Sequence, residues 1–288
     1  MNCIMYFYIK YKVMVVFPRA KINLGLRITA RRDDGYHDIE TFFLPLPFTD
    51  ALEFVVNDRK GQKDKLVITG IDPGGNPGDN LVLKAAEKLR RIHSFPSLKI
   101  HLHKAIPAGA GLGGGSADAA YMLRGLNRLF ALNMSCEELR SIALELGSDC
   151  PFFIEARASY ATGRGEKMTL TSKEILKNYY MVLLNPGIHV STKEAYQNCK
   201  PAKPEESLLQ IIENLPPEKW KSKVVNDFEG NVFSKHPLIG KIRQELYEAG
   251  AVFSLMSGSG SSVYGIFKSR HAIPDKLKKH LIWQGSLQ

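Results

Sequence analysis

The chain of 288 residues has only four cysteines, Cys3, Cys136, Cys150 and Cys199, and no two form a Cys-x-x-Cys pair. Spacing therefore suggests neither a zinc site nor a dithiol redox site, and scattered thiols fit a reducing compartment. There is no uninterrupted apolar run long enough to span a bilayer: residues 1–17 are apolar and aromatic but are broken by Lys10 and Lys12. Such a segment is too short for a membrane helix. It also lacks a basic start followed by a small-residue cleavage site, so no signal peptide and no membrane association are expected, and a cytoplasmic location is. Met14 is a second candidate start, with residues 1–13 then an upstream extension. No repeat period is visible. Acidic residues are in deficit, 29 against 39 Lys and Arg, leaving a formal net charge of +10. A dense basic run with interleaved aromatics is missing. Lys276-Leu-Lys-Lys-His is the nearest approach and reads as a solvated helix face. The excess charge therefore suits polyanionic small molecules gathered in a basic cleft, without requiring a nucleic acid.

What the chain does have is glycine in one place. Residues 107–120 read Pro-Ala-Gly-Ala-Gly-Leu-Gly-Gly-Gly-Ser-Ala-Asp-Ala-Ala, with glycines at 109, 111, 113, 114 and 115. Before them, Ile100 and Leu102 alternate with His101 and His103, the period of a half-buried strand. After them, Ala119, Leu123, Leu126 and Phe130 fall on one helical face. A glycine loop that feeds a helix N-terminus offers unpaired N–H groups and a partial positive charge, a cradle for phosphate. Gly109, Gly111 and Gly114 match G-x-G-x-x-G, but a dinucleotide fold needs a second strand ending in an acid. Here the helix runs to about Leu132 and the next acids, Glu137 and Glu138, open another helix. No Gly-Lys-Ser/Thr follows, so a Walker A loop is absent too.

The remaining pattern mixes strands and helices without regular βαβ alternation. Strands are expected at 13–17, 19–28, 40–44, 51–56, 66–69, 99–104, 179–184, 252–256 and 263–267. An Asp-Gly turn falls at 34–35 and polar turns at 61–65 and 162–165. Helices are expected from Asn80 to Arg91, with Ile92 on its apolar face, in the middle of 201–217, and over 237–249. Ser135 with Glu138 forms a capping-box pattern for a helix to about Leu146. Residues 147–154, Gly-Ser-Asp-Cys-Pro-Phe-Phe-Ile, read as a lead into a strand. Ile22, Leu24, Leu26 and Ile28 share one face of their strand, which leaves Lys21 and Asn23 on the other. The fold class is α+β with two domains, 1–167 and 168–288.

Three stretches, Pro18-Arg-Ala-Lys-Ile-Asn-Leu, residues 107–120, and Leu255-Met-Ser-Gly-Ser-Gly-Ser-Ser, resemble in order and character the three motifs of the GHMP family of small-molecule kinases. Asp34-Gly-Tyr-His and Gly147-Ser-Asp-Cys-Pro-Phe-Phe narrow the match to the branch whose acceptor carries a cytidine diphosphate. The resemblance covers nearly everything from Val15 to about Lys268. It implies a ribosomal protein S5 domain 2-like N-terminal domain, a ferredoxin-like C-terminal domain and an active site between them. It implies transfer of the ATP γ-phosphoryl to the 2-hydroxyl of a cytidine-diphosphate-linked methylerythritol, in non-mevalonate isoprenoid synthesis. Pro107, Ala108, Gly109, Ala110, Gly111, Leu112, Gly113, Gly114, Gly115, Ser116 and Ala117 would wrap the ATP phosphates. Ser116 would cap the helix or touch Mg²⁺. Asp149 matches the catalytic base and Lys21 its partner lysine. Asn23, Tyr36, His37, Thr192, Tyr196, Gly258, Ser259 and Gly260 match the acceptor site. The expected partners are small molecules, with no nucleic acid, for a monomer or weak homodimer.

Two alternatives stay open at this point. One is a related kinase for homoserine, mevalonate or a sugar. The other is a basic RNA-binding protein on an S5-like fold, which would need no Asp149.

Overall fold

The computed structural model describes residues 13–57, 62–197 and 199–287. Cys3 and nearly all of the candidate extension lie outside them. In chain order the strands are β1 (Val13–Val16), β2 (Arg19–Arg31), β3 (His37–Thr49), β4 (Ala51–Val56), β5 (Lys65–Gly70), β6 (Leu98–Lys104), β7 (Ser159–Thr162), β8 (Lys167–Leu170), β9 (Tyr180–Leu184), β10 (Phe253–Met256), β11 (Val263–Phe267) and β12 (Leu281–Ser286). The α-helices are α1 (Leu81–Ile92), α2 (Gly114–Leu129), α3 (Cys136–Leu144), α4 (Cys150–Glu155), α5 (Thr192–Tyr196), α6 (Leu208–Asn214), α7 (Glu229–Lys235), α8 (Pro237–Glu248) and α9 (Asp275–Lys278). None is long and apolar enough to cross a membrane. Among the described residues two compact units form. The first gathers residues up to Ala20 with Pro47–Ala108 and Gly113–Ala156; the second gathers Lys21–Leu46, Gly109–Leu112 and the chain from Arg157 onward. The units therefore do not follow a single cut at residue 168, because β2 and β3 make their contacts with the later part of the chain.

The first unit is built on a sheet ordered β1-β4-β6-β5, with β5 parallel to β6 and the other pairs antiparallel. Strand β6 buries Leu98, Ile100, Leu102 and Lys104 and exposes Lys99, His101 and His103, the strict alternation of a sheet with one covered face. Helix α1 starts where the Asn80 side chain accepts from Val82 N at 2.9 Å, and it buries Val82, Ala85, Ala86 and Leu89. Ile92, expected on the apolar face, is instead exposed, since it sits in the last turn beyond that stripe. The capping box of α3 forms as its sequence implies. Residues 150–155, within the stretch expected to lead into a strand, form helix α4 ahead of β7. Pro151 in its first turn has no N–H to lose there, and its fixed φ suits a helix start.

The second unit holds two sheets. One is ordered β2-β3-β7-β8; the other is β10-β11-β9-β12, all antiparallel. Numbered within the later part of the chain, the second order is 2-3-1-4, with helices between β9 and β10 and between β11 and β12. That is the split βαβ plait. Leu26, Ile28 and Ile39 share one core with Val182, Leu184, Val190, Ile239, Ile242, Leu246 and Met256. Strand β2 is thus covered on both faces, so Lys21 and Asn23 are buried like their apolar neighbours and not on an open polar side. At the far end, Lys276-Leu-Lys-Lys contributes only the four-residue α9. Its Leu277 is buried, while Lys276 and Lys278 pair with Glu245 and Asp275.

In the first unit α2 packs so closely that a Cβ on Gly125 would lie 2.5 Å from Cζ of the fully buried Phe54. Valine there would gain a few tenths of a kcal/mol of helix propensity over glycine. Overpacking costs more, about 1–3 kcal/mol. Gly125→Val is expected to lower the urea midpoint accordingly with an unchanged m value; an unshifted midpoint would show that the sheet gives way.

Candidate functional site

Gly109, Gly111 and Gly113 have φ of 63°, 76° and 70°, the left-handed conformation that glycine adopts without a Cβ penalty. A side chain at Gly111 is impossible, because its Cβ would lie 2.0 Å from Ser257 O. At Gly109 it would meet His189 Nδ1 at 3.0 Å. Three successive carbonyls of this loop accept hydrogen bonds within the second unit. Ser262 N donates to Ala110 O at 3.2 Å, Ser257 Oγ to Gly111 O at 2.8 Å and Lys21 N to Leu112 O at 3.0 Å. In a planar trans peptide the N–H points opposite to the C=O. Fixing those carbonyls therefore turns the N–H groups of Gly111, Leu112 and Gly113 the other way. Pro107 and Ala108 lead into this turn, with Ala108 exposed.

The loop that supplies Ser257 and Ser262 is itself held from behind. Asn226 Nδ2 donates to the carbonyls of Met256 and Gly258, both at 2.8 Å. Glu229 accepts from Met256 N at 2.8 Å and pairs with Arg243. Burial pushes the Glu229 carboxyl up to about 7, and Arg243 offsets only part of that. Asn185 Nδ2 donates to Ser262 Oγ, and Ser261 Oγ to Ile188 O. Gly258 and Gly260 have positive φ, and Ser259 between them is half-buried. Sequence reasoning found this loop but missed Asn226, Glu229 and His189, because no local spacing marks a residue that acts across the fold.

Lys21 is 4% exposed. Its Nζ donates to Asn23 Oδ1 at 2.7 Å and lies 5.2 Å from the centroid of the Phe43 ring. Asn23 Nδ2 donates to Thr41 Oγ1 at 2.8 Å, and Thr41 Oγ1 to Gly25 O at 2.6 Å. Asn23 N donates to Ser257 Oγ, and Asn23 O accepts from the buried Tyr264 hydroxyl. Both ends of the Asn23 amide are thus engaged, and the residue orients Lys21.

In the first unit, Gly113 is the N-cap of α2, with φ 70° and ψ 19°. Ser116 therefore does not cap the helix, a correction: it lies in the first turn, half-buried, and its side chain hydrogen-bonds Cys150. That bond joins the starts of α2 and α4. Burial pushes the Cys150 thiol up to about 11, which leaves it an inert packing group. Asp149 occupies the N-cap position of α4 but makes no capping bond to it, so its carboxylate is not spent on closing that helix. Magnesium is the ion the resemblance implies. Among the described residues no group of three His, Cys, Asp or Glu could hold a metal. Mg²⁺ is typically bound through one or two carboxylates, with substrate phosphates and water completing its shell. The Ser116 hydroxyl at the head of α2 could add one neutral oxygen to such a shell.

At the β2–β3 turn, Tyr36 is 53% exposed and carries the Arg164 guanidinium 3.7 Å from its ring centroid. His37 stacks on Tyr196 at 4.9 Å and 18°. Tyr196 in turn meets Phe228 edge-on at 4.7 Å. Thr192 is exposed in the first turn of α5, whose N-cap is Ser191. The structure thus brings His37 and Tyr196 together, as a single candidate pocket requires, and places an arginine beside Tyr36 that sequence reasoning missed.

Against known proteins, the family model described as the GHMP kinases N terminal domain matches residues 80–157, and that for the GHMP kinases C terminal matches 211–282. The chain is 48% identical over 276 residues to a 4-diphosphocytidyl-2-C-methyl-D-erythritol kinase of Parabacteroides distasonis, covering 95% of this chain and 100% of that one. It is 47% identical to the kinase of the same name from Bacteroides thetaiotaomicron, covering 91% and 95%. A crystal structure of 4-(cytidine 5'-diphospho)-2C-methyl-D-erythritol kinase superposes with a TM-score of 0.74 at 32% identity, covering 89% of this chain and 91% of that one. Matches at this identity over nearly the full length, with both family models in order on an α+β fold, establish that the chain belongs to the GHMP kinases.

Proposed function

We propose that this chain transfers the γ-phosphoryl group of Mg-ATP to the 2-hydroxyl of 4-(cytidine 5'-diphospho)-2-C-methyl-D-erythritol, giving the 2-phosphate and ADP. The observation that carries the ATP half is the loop at 109–113, whose carbonyls are pinned and whose N–H groups face away from the pins. The acceptor is supported by the near-full-length likeness to kinases named for it. Phosphoryl transfer needs mainly positioning and charge neutralisation. Residues 107–117 hold the phosphates, aided by the N-terminal dipole of α2. Ser116 is the residue we place toward the magnesium that would accompany ATP, where the ion would neutralise phosphate charge.

Asp149 takes the proton of the attacking hydroxyl. Lys21 supplies positive charge beside the acceptor oxygen, with Asn23 keeping its ammonium in place. The cytosine ring is read by Tyr36, His37 and Tyr196. The Tyr196 face provides a stacking platform, and the His37 ring nitrogens provide hydrogen bonds. Thr192 contributes a hydroxyl at the head of α5. Gly258, Ser259 and Gly260 approach the acceptor through their backbone.

The deciding assay is ADP release from Mg-ATP with and without the cytidine-diphosphate acceptor. Release is expected only with acceptor, and Asp149→Asn is expected to lower kcat by about 10²–10⁴-fold. Turnover with homoserine or mevalonate instead would replace the acceptor. Lys21→Met is expected to bind ATP nearly as well as wild type while losing turnover; unchanged kcat would remove Lys21 from the chemistry. Tyr196→Ala is expected to weaken acceptor binding by about 1–3 kcal/mol, the usual worth of a base stack, and to spare ATP. Equal loss of both ligands would point to damage to the fold.

A further inference from the structure

The first unit buries an ion triad that the mechanism above does not use. Lys104 is the last residue of β6, immediately before the glycine-rich segment. Its Nζ donates to Asp50 Oδ2 and, at 2.7 Å, to Asp118 Oδ2 in the second turn of α2. All three side chains are no more than 3% exposed. Asp50 Oδ1 also accepts from Ala105 N at 2.6 Å and from Ile106 N at 2.8 Å. One carboxylate therefore clamps the backbone where the chain leaves the strand. One ammonium then ties that clamp to the helix on the far side of the loop. A Cβ on Gly114, the first residue of α2, would lie 3.3 Å from the same Nζ, so the ammonium sits directly under the helix start.

The charges do not balance within the triad, since two carboxylates share one ammonium. Burial pushes Asp118 up to about 7, offset in part by Lys104, while Asp118 Oδ1 has no hydrogen-bond partner. Burial alone would lower Lys104, but the two carboxylates together hold it above the ordinary lysine value. An arrangement of this kind is a poor way to gain stability, because apolar residues of similar size often do as well or better. What it does supply is a fixed distance between two backbone segments. A glycine loop has no side chains of its own to set that distance.

Resting on the reading that this loop binds ATP, we infer that Asp50, Lys104 and Asp118 are positioning residues for the nucleotide. They tie the two ends of the loop together so that its N–H groups converge on the phosphates. Their loss weakens nucleotide binding specifically and leaves the acceptor side untouched.

The test is equilibrium titration with AMP-PNP and Mg²⁺, which needs no acceptor, alongside steady-state KM for ATP and for the acceptor. Asp118→Ala removes the tie and is expected to weaken AMP-PNP binding about tenfold, the scale of one lost hydrogen bond. Asp118→Asn keeps an oxygen for Lys104 and is expected to recover most of that loss. KM for the acceptor stays within twofold of wild type in both. A Lys104→Met/Asp118→Leu double variant, which removes the tie and leaves Asp50 its two backbone N–H donors, is expected to show the same selective loss. The inference is overturned if the folded double variant, or folded Asp118→Ala, binds AMP-PNP within twofold of wild type. It is equally overturned if Asp118→Asn loses as much as Asp118→Ala, or if both substrates weaken together. Wild-type protein that fails to bind AMP-PNP would instead remove the ATP reading itself, and this inference with it.

Discussion

A loop that binds phosphate with backbone N–H groups cannot use those groups to hold itself in shape. In the loop proposed to hold ATP, the constraint is met through the opposite side of the same peptides. The carbonyls of Ala110, Gly111 and Leu112 accept from Ser262, Ser257 and Lys21, and peptide planarity aims the N–H groups away. Much of the second unit's polar interior serves this end. Asn226 and Glu229 set the 257–262 loop, and that loop sets the glycines. The Lys21 backbone holds Leu112, while the Lys21 ammonium is steered by Asn23. One short segment of β2 thereby connects the nucleotide loop to the proposed chemistry.

This explains why so many polar groups are buried where apolar ones would fill space more cheaply. Thr41, Asn23, Asn226 and Ser257 all make internal hydrogen bonds, so their burial is compensated. Glu40 shows the same economy in β3: it accepts from the Tyr160 hydroxyl and Leu208 N, each at 2.8 Å, and from Arg27. Burial, and after it the hydrogen bond to Glu40, hold the Tyr160 hydroxyl above its ordinary range. A connected polar interior of this type gives directional, unique positions that close-packed hydrocarbon does not specify.

The proposed acceptor side follows a different logic. Tyr36, His37, Tyr196 and Arg164 lie on the β2–β3 turn, the start of β3, the end of α5 and the β7–β8 turn. Turns and element ends tolerate change without disturbing the sheets beneath them. A shared kinase scaffold can therefore keep its phosphate loop and alter its acceptor by changing such residues, which is why fold alone does not choose the substrate.

Local signals settled a good deal without any structure. Glycine spacing at 109–115 marked the strand-loop-helix, alternation marked β6, and Ser135 with Glu138 marked the start of α3. Each depends only on neighbours in the chain, so each is legible there. The order of the three motifs carried the family. Other features depended on residues far apart. Alternation placed Lys21 and Asn23 on the face opposite Ile22 and Leu24, but could not show that this face is buried as well. Residues 147–154 read as a lead into a strand, and β7 does follow, but a short apolar run fits either element and packing made 150–155 a helix. The Asp50–Lys104–Asp118 triad and the Asn226 anchor left no mark in local spacing. Sequence determined which segments form and which chemistry they carry. Tertiary structure alone decided which charges are buried, what they hold, and which backbone groups are left to face a ligand.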